Sequence, residues 1–146
     1  MKKPTILIVD DDSDIVEATR VMLEAKEYTV LAAYDYAAGL AKIREAKPDL
    51  IIADAMLMLN DSSGLQLPSE VRKDPSIAHI PILMITAINN EATGAEFAPG
   101  TEDERLPIDG FINKPARSEE LYRQVGLLLK MKTSKWAARF AEKPRP

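Results

Sequence analysis

Ile6-Leu7-Ile8-Val9-Asp10-Asp11-Asp12 runs four aliphatic residues straight into three acids. An apolar run without alternation, bounded by polar residues, reads as a strand buried on both faces, the kind found in a parallel sheet covered by helices. Leu50-Ile51-Ile52-Ala53 repeats the pattern and ends at Asp54. Acids at the carboxyl ends of two such strands can meet in one crevice, because open α/β sheets place their ligands there. Left bare, these carboxylates repel each other. A hard divalent cation held by a few carboxylates and waters relieves that repulsion, and magnesium is the usual occupant of such a donor set.

Two more runs extend the pattern. Ile80 to Ile85 is followed by Thr86, and Phe111-Ile112-Asn113 is followed by Lys114 and Pro115. The strand ends therefore offer an acid pair, an acid, a hydroxyl and an ammonium in chain order. That set suits the placing of a phosphoryl group on a carboxylate: cation and ammonium neutralise phosphate oxygens, the hydroxyl donates to another, and one carboxylate attacks.

The coarse order is strand then helix, five times over. Strands are expected at Thr5–Val9, Thr29–Ala33, Leu50–Ala53, Ile80–Ile85 and Gly110–Ile112. Ile15, Ala18, Met22 and Leu23 fall at helical spacing and so do Leu121, Val125, Leu128 and Leu129; both stripes read as core. Alternating strands and helices imply an α/β fold with a parallel sheet and right-handed crossovers.

With these residues in place, the chain resembles the receiver domain of two-component response regulators from Thr5 to about Lys130. The resemblance rests on four motifs in order: residues 6 to 12, Pro-Asp-Leu-Ile-Ile-Ala-Asp at 48 to 54, Pro-Ile-Leu-Met-Ile-Thr-Ala at 81 to 87, and Gly-Phe-Ile-Asn-Lys-Pro at 110 to 115. It implies a doubly wound, flavodoxin-like five-stranded sheet of order 2-1-3-4-5. It also implies Asp54 as phospho-acceptor, Asp11 and Asp54 as direct Mg2+ ligands, Asp10 as a ligand through water, and Met56 as a ligand through its backbone carbonyl. Thr86 and Lys114 would bind the phosphoryl group, and Phe111 would be the aromatic that moves with Thr86. Taken singly, these residues have plainer readings. Asp12 or Ser13 caps the following helix, with Asp14 and Glu17 complementing its dipole, and a lone strand aromatic such as Phe111 is more often core than switch.

The chain also departs from the family pattern. Met56 is not followed by proline, and the stretch from Ala55 to Gly64 is long. Pro68 falls inside the expected third helix, which should kink or start late. Gly94, Pro99, Gly100 and Pro107 break the segment between Thr86 and Lys114, which favours a loop beyond about Phe97. Met56 and Ile88 are apolar where the resemblance would place residues flanking the phosphoryl group, so neither can orient an attacking water and a long-lived phosphorylated form is expected.

Composition agrees with one receiver domain, 1–130, and a basic amphipathic extension, 131–146. The 146 residues suffice for one full core and are too few for two ordinary domains. Cysteine is absent, which removes disulfides and thiol chemistry. No run approaches the ~18 apolar residues of a membrane span, and a cytoplasmic protein is expected. From Lys130 onward the chain carries +5, leaving −9 on the remainder. An acidic body with a short basic tail is a poor nucleic-acid binder, so direct DNA binding is not expected. Beyond Leu129 the helical spacing continues to Trp136 and Phe140.

Three functional readings follow. The first is a stand-alone receiver, a phospho-acceptor rather than an enzyme, that is phosphorylated at Asp54 by a sensor histidine kinase or histidine phosphotransfer protein. A downstream effector protein would then read it, with a homodimer possible. The second is a degenerate receiver that binds a partner without phosphorylation. The third is a phosphohydrolase: Asp10 and Asp12 also resemble the Asp-x-Asp motif of haloacid-dehalogenase-like enzymes, with Asp10 as nucleophile, Asp12 as general acid and only Asp109 available as the later metal acid. The site of the acyl phosphate separates them, at Asp54, nowhere or Asp10.

Overall fold

The computed structural model describes residues 3–54, 66–86, 108–114 and 116–131, with the Gln66 and Thr86 side chains outside the description. Five strands form one all-parallel sheet: β1 Thr5–Val9, β2 Thr29–Ala33, β3 Leu50–Asp54, β4 Ile82–Thr86 and β5 Gly110–Asn113. Their spatial order is β2-β1-β3-β4-β5. The described helices are α1 Ser13–Ala25, α2 Tyr36–Ala46, α3 Gln66–Lys73 and α4 Ser118–Met131. The expected α/β fold and strand order are those observed.

The central strands β1, β3 and β4 are apolar apart from Thr5, Asp54 and Thr86 at their ends, so both faces of the sheet are covered by apolar packing. Alternate residues feed two cores. Leu7, Val9, Ile51, Ala53, Ile82 and Met84 pack with Ile43 of α2 and Leu67 and Val71 of α3. Ile6, Ile8, Ile52, Leu83 and Ile85 pack with Val16 and Leu23 of α1 and with Leu121, Val125 and Leu128 of α4. Tyr122 fastens α4 to α1 by donating from its hydroxyl to the Met22 carbonyl at 2.9 Å.

The buried stripe of α1 differs from the expected one. Val16, Thr19 and Leu23 are buried, whereas Ala18 is exposed and Ile15 and Met22 are only partly covered. Thr19 is 3 % exposed, so a polar residue shares the core face with Leu23 of the expected stripe, and the apolar pattern alone places that face slightly off. The α4 stripe is as expected at Leu121, Val125 and Leu128. Strand β4 begins at Ile82 rather than Ile80, because Ile80 donates its N–H to the Ile77 carbonyl at 3.1 Å and closes a turn. The third helix is described from Gln66 to Lys73 and contains Pro68; the kink or late start expected of it falls at the border with residues 55–65, outside the described residues.

Helix starts set the geometry above the sheet. Asp12 caps α1, its side chain accepting from the Asp14 N–H at 3.0 Å and the Ile15 N–H at 3.3 Å. Asp35 caps α2 by accepting from Ala38 N–H at 2.7 Å. Gly39 lets α2 lie directly on β1, since a Cβ there would stand 2.8 Å from Val9 Cγ1. The residue after Val9 is Asp10, so this contact helps fix the strand end that carries the first acid.

Candidate functional site

β1 and β3 lie side by side with Val9 paired to Ala53, so the residues that follow, Asp10 and Asp54, reach the same edge. Asp10 continues the alternation of Ile6 and Ile8, and Asp54 that of Leu50 and Ile52, all of which pack in the core beneath α1 and α4. Both carboxylates are buried, at 3 % and 4 % exposure. Lys114 arrives from the end of β5. Its Nζ donates to Asp10 Oδ2 at 3.2 Å and to Asp54 Oδ1 at 3.1 Å. Asp11 is exposed beside them, and one carboxylate oxygen from each of Asp10, Asp11 and Asp54 fits within 4.8 Å of the others.

The charges in this cluster do not balance. Two buried carboxylates share one ammonium and the exposed Asp11 stands beside them, so acid exceeds base in the cluster. Burial pushes the Asp10 carboxyl above its usual value of 3.8, and the nearby Asp54 charge pushes the same way. The Asp12 N–H, donating to Asp10 Oδ1 at 2.9 Å, and Lys114 oppose the shift without cancelling it. Burial works against the charged form of Lys114 too. There the hydrogen bond to Asp54, together with the Asp54 and Asp10 charges, outweighs it and holds the ammonium above 10.5. A divalent cation matches the surplus, and an all-oxygen donor set with one exposed member is what a hard ion that keeps several waters requires.

Asp10, Asp11, Asp54 and Lys114 are thus brought together. Thr86 ends β4 in register with Asn113, which places its backbone between Asp54 and Lys114 along the same edge. Its side chain, Met56, Ile88, Pro115 and the segment from Phe97 to Pro107 lie outside the described residues. Phe111 pairs with Met84 and is buried in the core beneath α2 and α3, on the opposite face from the acids.

Asp109 is not near the site. It precedes β5 at the amino end of the sheet, where Arg72 Nη2 donates to its Oδ2 at 2.8 Å and Ile82 N–H donates to the same oxygen at 3.0 Å. Asp109 is engaged there and Asp12 caps α1, so among the described residues neither joins Asp10, Asp11 and Asp54 at the carboxyl edge. The Arg72–Asp109 pair was not legible in the sequence. Its members are 37 residues apart, and neither sits in a motif.

Comparison with known proteins agrees with the geometry. The family model "Response regulator receiver domain" matches residues 6–126. The phosphate regulon transcriptional regulatory protein PhoB of Pseudomonas aeruginosa is 36% identical over 86% of this chain and 52% of its own length. Hybrid signal transduction histidine kinase D of Dictyostelium discoideum is 32% identical over 91% of this chain but only 8% of its own length. The chain therefore spans about half or less of these curated relatives. Among solved structures, the chemotaxis response regulator CheY4 of Vibrio cholerae superposes with a TM-score of 0.70 at 25% identity, covering 87% of this chain and 99% of that one. No described helix is long and apolar enough to cross a membrane. A matched family model over most of the chain, the shared sheet order and the acids gathered at the carboxyl edge lead to one conclusion: this chain belongs to the response regulator receiver domain family.

Proposed function

We propose that the protein accepts a phosphoryl group on Asp54 from a sensor histidine kinase or a histidine phosphotransfer protein, in a magnesium-dependent reaction, and that a downstream partner protein reads the resulting change. The observation that carries this reading is the convergence of Asp10 and Asp54 on Lys114 with Asp11 alongside. A carboxylate approaches an anionic phosphodonor only where positive charge offsets the repulsion, and the surplus of acid over base is what a divalent cation would balance.

In this reading Asp11 and Asp54 hold Mg2+ directly, the Met56 carbonyl supplies a further oxygen, and Asp10 contributes through water. The ion would draw negative charge from the phosphoryl oxygens. An Asp54 carboxylate oxygen forms the new bond to phosphorus while the phosphorus–nitrogen bond of the donor histidine breaks, and the imidazole departs with the electron pair. Lys114 exchanges its contact with Asp54 for one with a phosphoryl oxygen. Thr86 donates its hydroxyl to another, and Phe111 follows it. The protein promotes its own phosphotransfer and dephosphorylation rather than turning over a substrate as an enzyme does. A cytoplasmic location, the absence of direct DNA contact and an optional homodimer go with this role. The intact acid cluster favours it over a receiver that works without phosphorylation.

Incubation with magnesium and a small phosphodonor, followed by intact mass, tests the proposal. One phosphoryl group should be added to the wild-type chain and none to Asp54→Asn, and chelation of the metal should suppress labelling. Equal labelling of the variant, or labelling unaffected by chelator, would overturn it.

A further inference from the structure

At the amino edge of the sheet, the end opposite Asp54, lies a crevice of about 460 Å3. Its floor is apolar, built from Pro4, Pro48, Ile80 and Pro81, where three of the strands begin, and from Leu129 near the end of α4. Proline suits such a floor, because it presents a ring and no backbone N–H where a strand begins. Lys3, Lys47, Asp49 and His79 stand at the exposed rim, so it carries both signs of charge. This concavity takes no part in the proposed phosphoryl chemistry.

The chain itself supplies a segment of matching character. The described part of α4 ends at Met131, two residues past Leu129, and residues 132–146 follow. Trp136 comes seven residues after Leu129 and Phe140 four later, the spacing of one helical face. Seven residues advance a helix by about 10 Å and an extended chain by about twice that, so either conformation brings Trp136 within reach of the crevice. The ammonium groups of Lys3 and Lys47 attract the face of an indole ring, and the Asp49 carboxylate at the same rim attracts the basic groups of Lys132, Lys135 and Arg139, so the apolar floor and mixed-charge rim accept both kinds of residue in this segment.

We propose that residues 132–146 dock back on this crevice, with Trp136 seated against Pro48, Ile80 and Pro81. The extension then completes the receiver's own surface at the end remote from Asp54 instead of standing ready as an arm for a partner. Phosphorylation is indifferent to it, so the inference stands or falls apart from the proposed function.

Trp136 is the single tryptophan of the chain, which makes its emission a direct readout. In the full-length protein its fluorescence should be blue-shifted, and acrylamide should quench it less than it quenches a synthetic peptide of residues 132–146. Ala46 lines the crevice from the exposed last position of α2, where a larger side chain does not disturb the core. Ala46→Arg should therefore restore peptide-like emission and quenching with unchanged circular dichroism. Truncation after Met131 should lower Tm while leaving labelling by a small phosphodonor intact. The proposal is overturned if Trp136 in the wild-type chain is quenched as readily as in the peptide, or if its protection survives Ala46→Arg. Protection that disappears on dilution would assign the occupant to a second copy and overturn it equally.

Discussion

Buried charge stands at both ends of this sheet, and the two sites are built on opposite principles. At the amino end, among the described residues, one buried cation meets one buried anion. Arg72 donates to Asp109 and to the carbonyls of Ala78 and Ile80, and Asp109 also accepts from the Ile82 N–H. Side-chain exposures of 2 % and 0 % leave no room for water to intervene. Burial draws the Arg72 guanidinium down to about 10, with Asp109 opposing the shift, and at neutral pH it remains charged. At the carboxyl end, Asp10 and Asp54 share Lys114 with exposed Asp11 beside them, and the Asp10 carboxyl is raised rather than settled. A balanced pair fixes structure, tying α3 and the 78–82 turn to the start of β5. An unbalanced cluster keeps an unmet demand for positive charge, which a ligand can satisfy.

The sharpest contrast should come from removing one partner at the balanced end. Arg72→Met takes a buried, hydrogen-bonded cation away from Asp109 and should cost about 3–5 kcal/mol; chemical denaturation measures it, and a loss below the level of an ordinary surface change would mean that the pair holds nothing together. At the other end the largest effect should be a gain. Saturating Mg2+ at a hundredfold its Kd adds about 2.7 kcal/mol to a protein that binds it only when folded. The rise in Tm should appear in the wild type and shrink in Asp11→Asn. A rise of the same size in both would place the ion elsewhere.

Neutralising an acid should also help the unbalanced end. Because the folded protein binds the Asp10 proton more tightly than the unfolded chain, stability falls as pH rises from 3.8 through the raised folded value. Metal-free Asp10→Asn should therefore be more stable than wild type at pH 7 by about 0.5–2 kcal/mol, the range typical of relieving conflict at a functional site. That advantage should fade as pH is lowered, because protonated Asp10 is neutral too. A variant less stable than wild type at pH 7 would show that the Lys114 contact outweighs burial and repulsion. The exposed Arg44–Asp74 pair at 3.1 Å is the baseline. Arg44→Ala should leave Tm within error, since water already solvates both groups.

What the sequence disclosed follows from the same contrast. The strand ends of the functional edge were readable because each acid or lysine terminates an apolar run, and local pattern carries that information. Sheet order came from the family resemblance, since alternation of strands and helices leaves several orders open. The balanced pair was invisible: Arg72 sits at the end of an eight-residue helix and Asp109 beyond a long connection, so only folding brings them together. Thr19 misled for a related reason. Threonine counts as polar in an apolar pattern yet is small enough to sit in the core, and hydrophobic spacing then shifts the apparent core face by a residue or two. Asp12 was legible as a cap because capping is local chemistry, settled within three residues.

The most direct test asks which aspartate carries the phosphate. After reaction with magnesium and a small phosphodonor, the acyl phosphate is trapped by borohydride reduction and located by peptide mapping. Modification should fall on Asp54, with Asp10 and Asp12 unmodified. Label on Asp10, or a chain that takes up no phosphate while the fold stays intact, would contradict the assignment of the carboxyl edge as a phospho-acceptor site centred on Asp54.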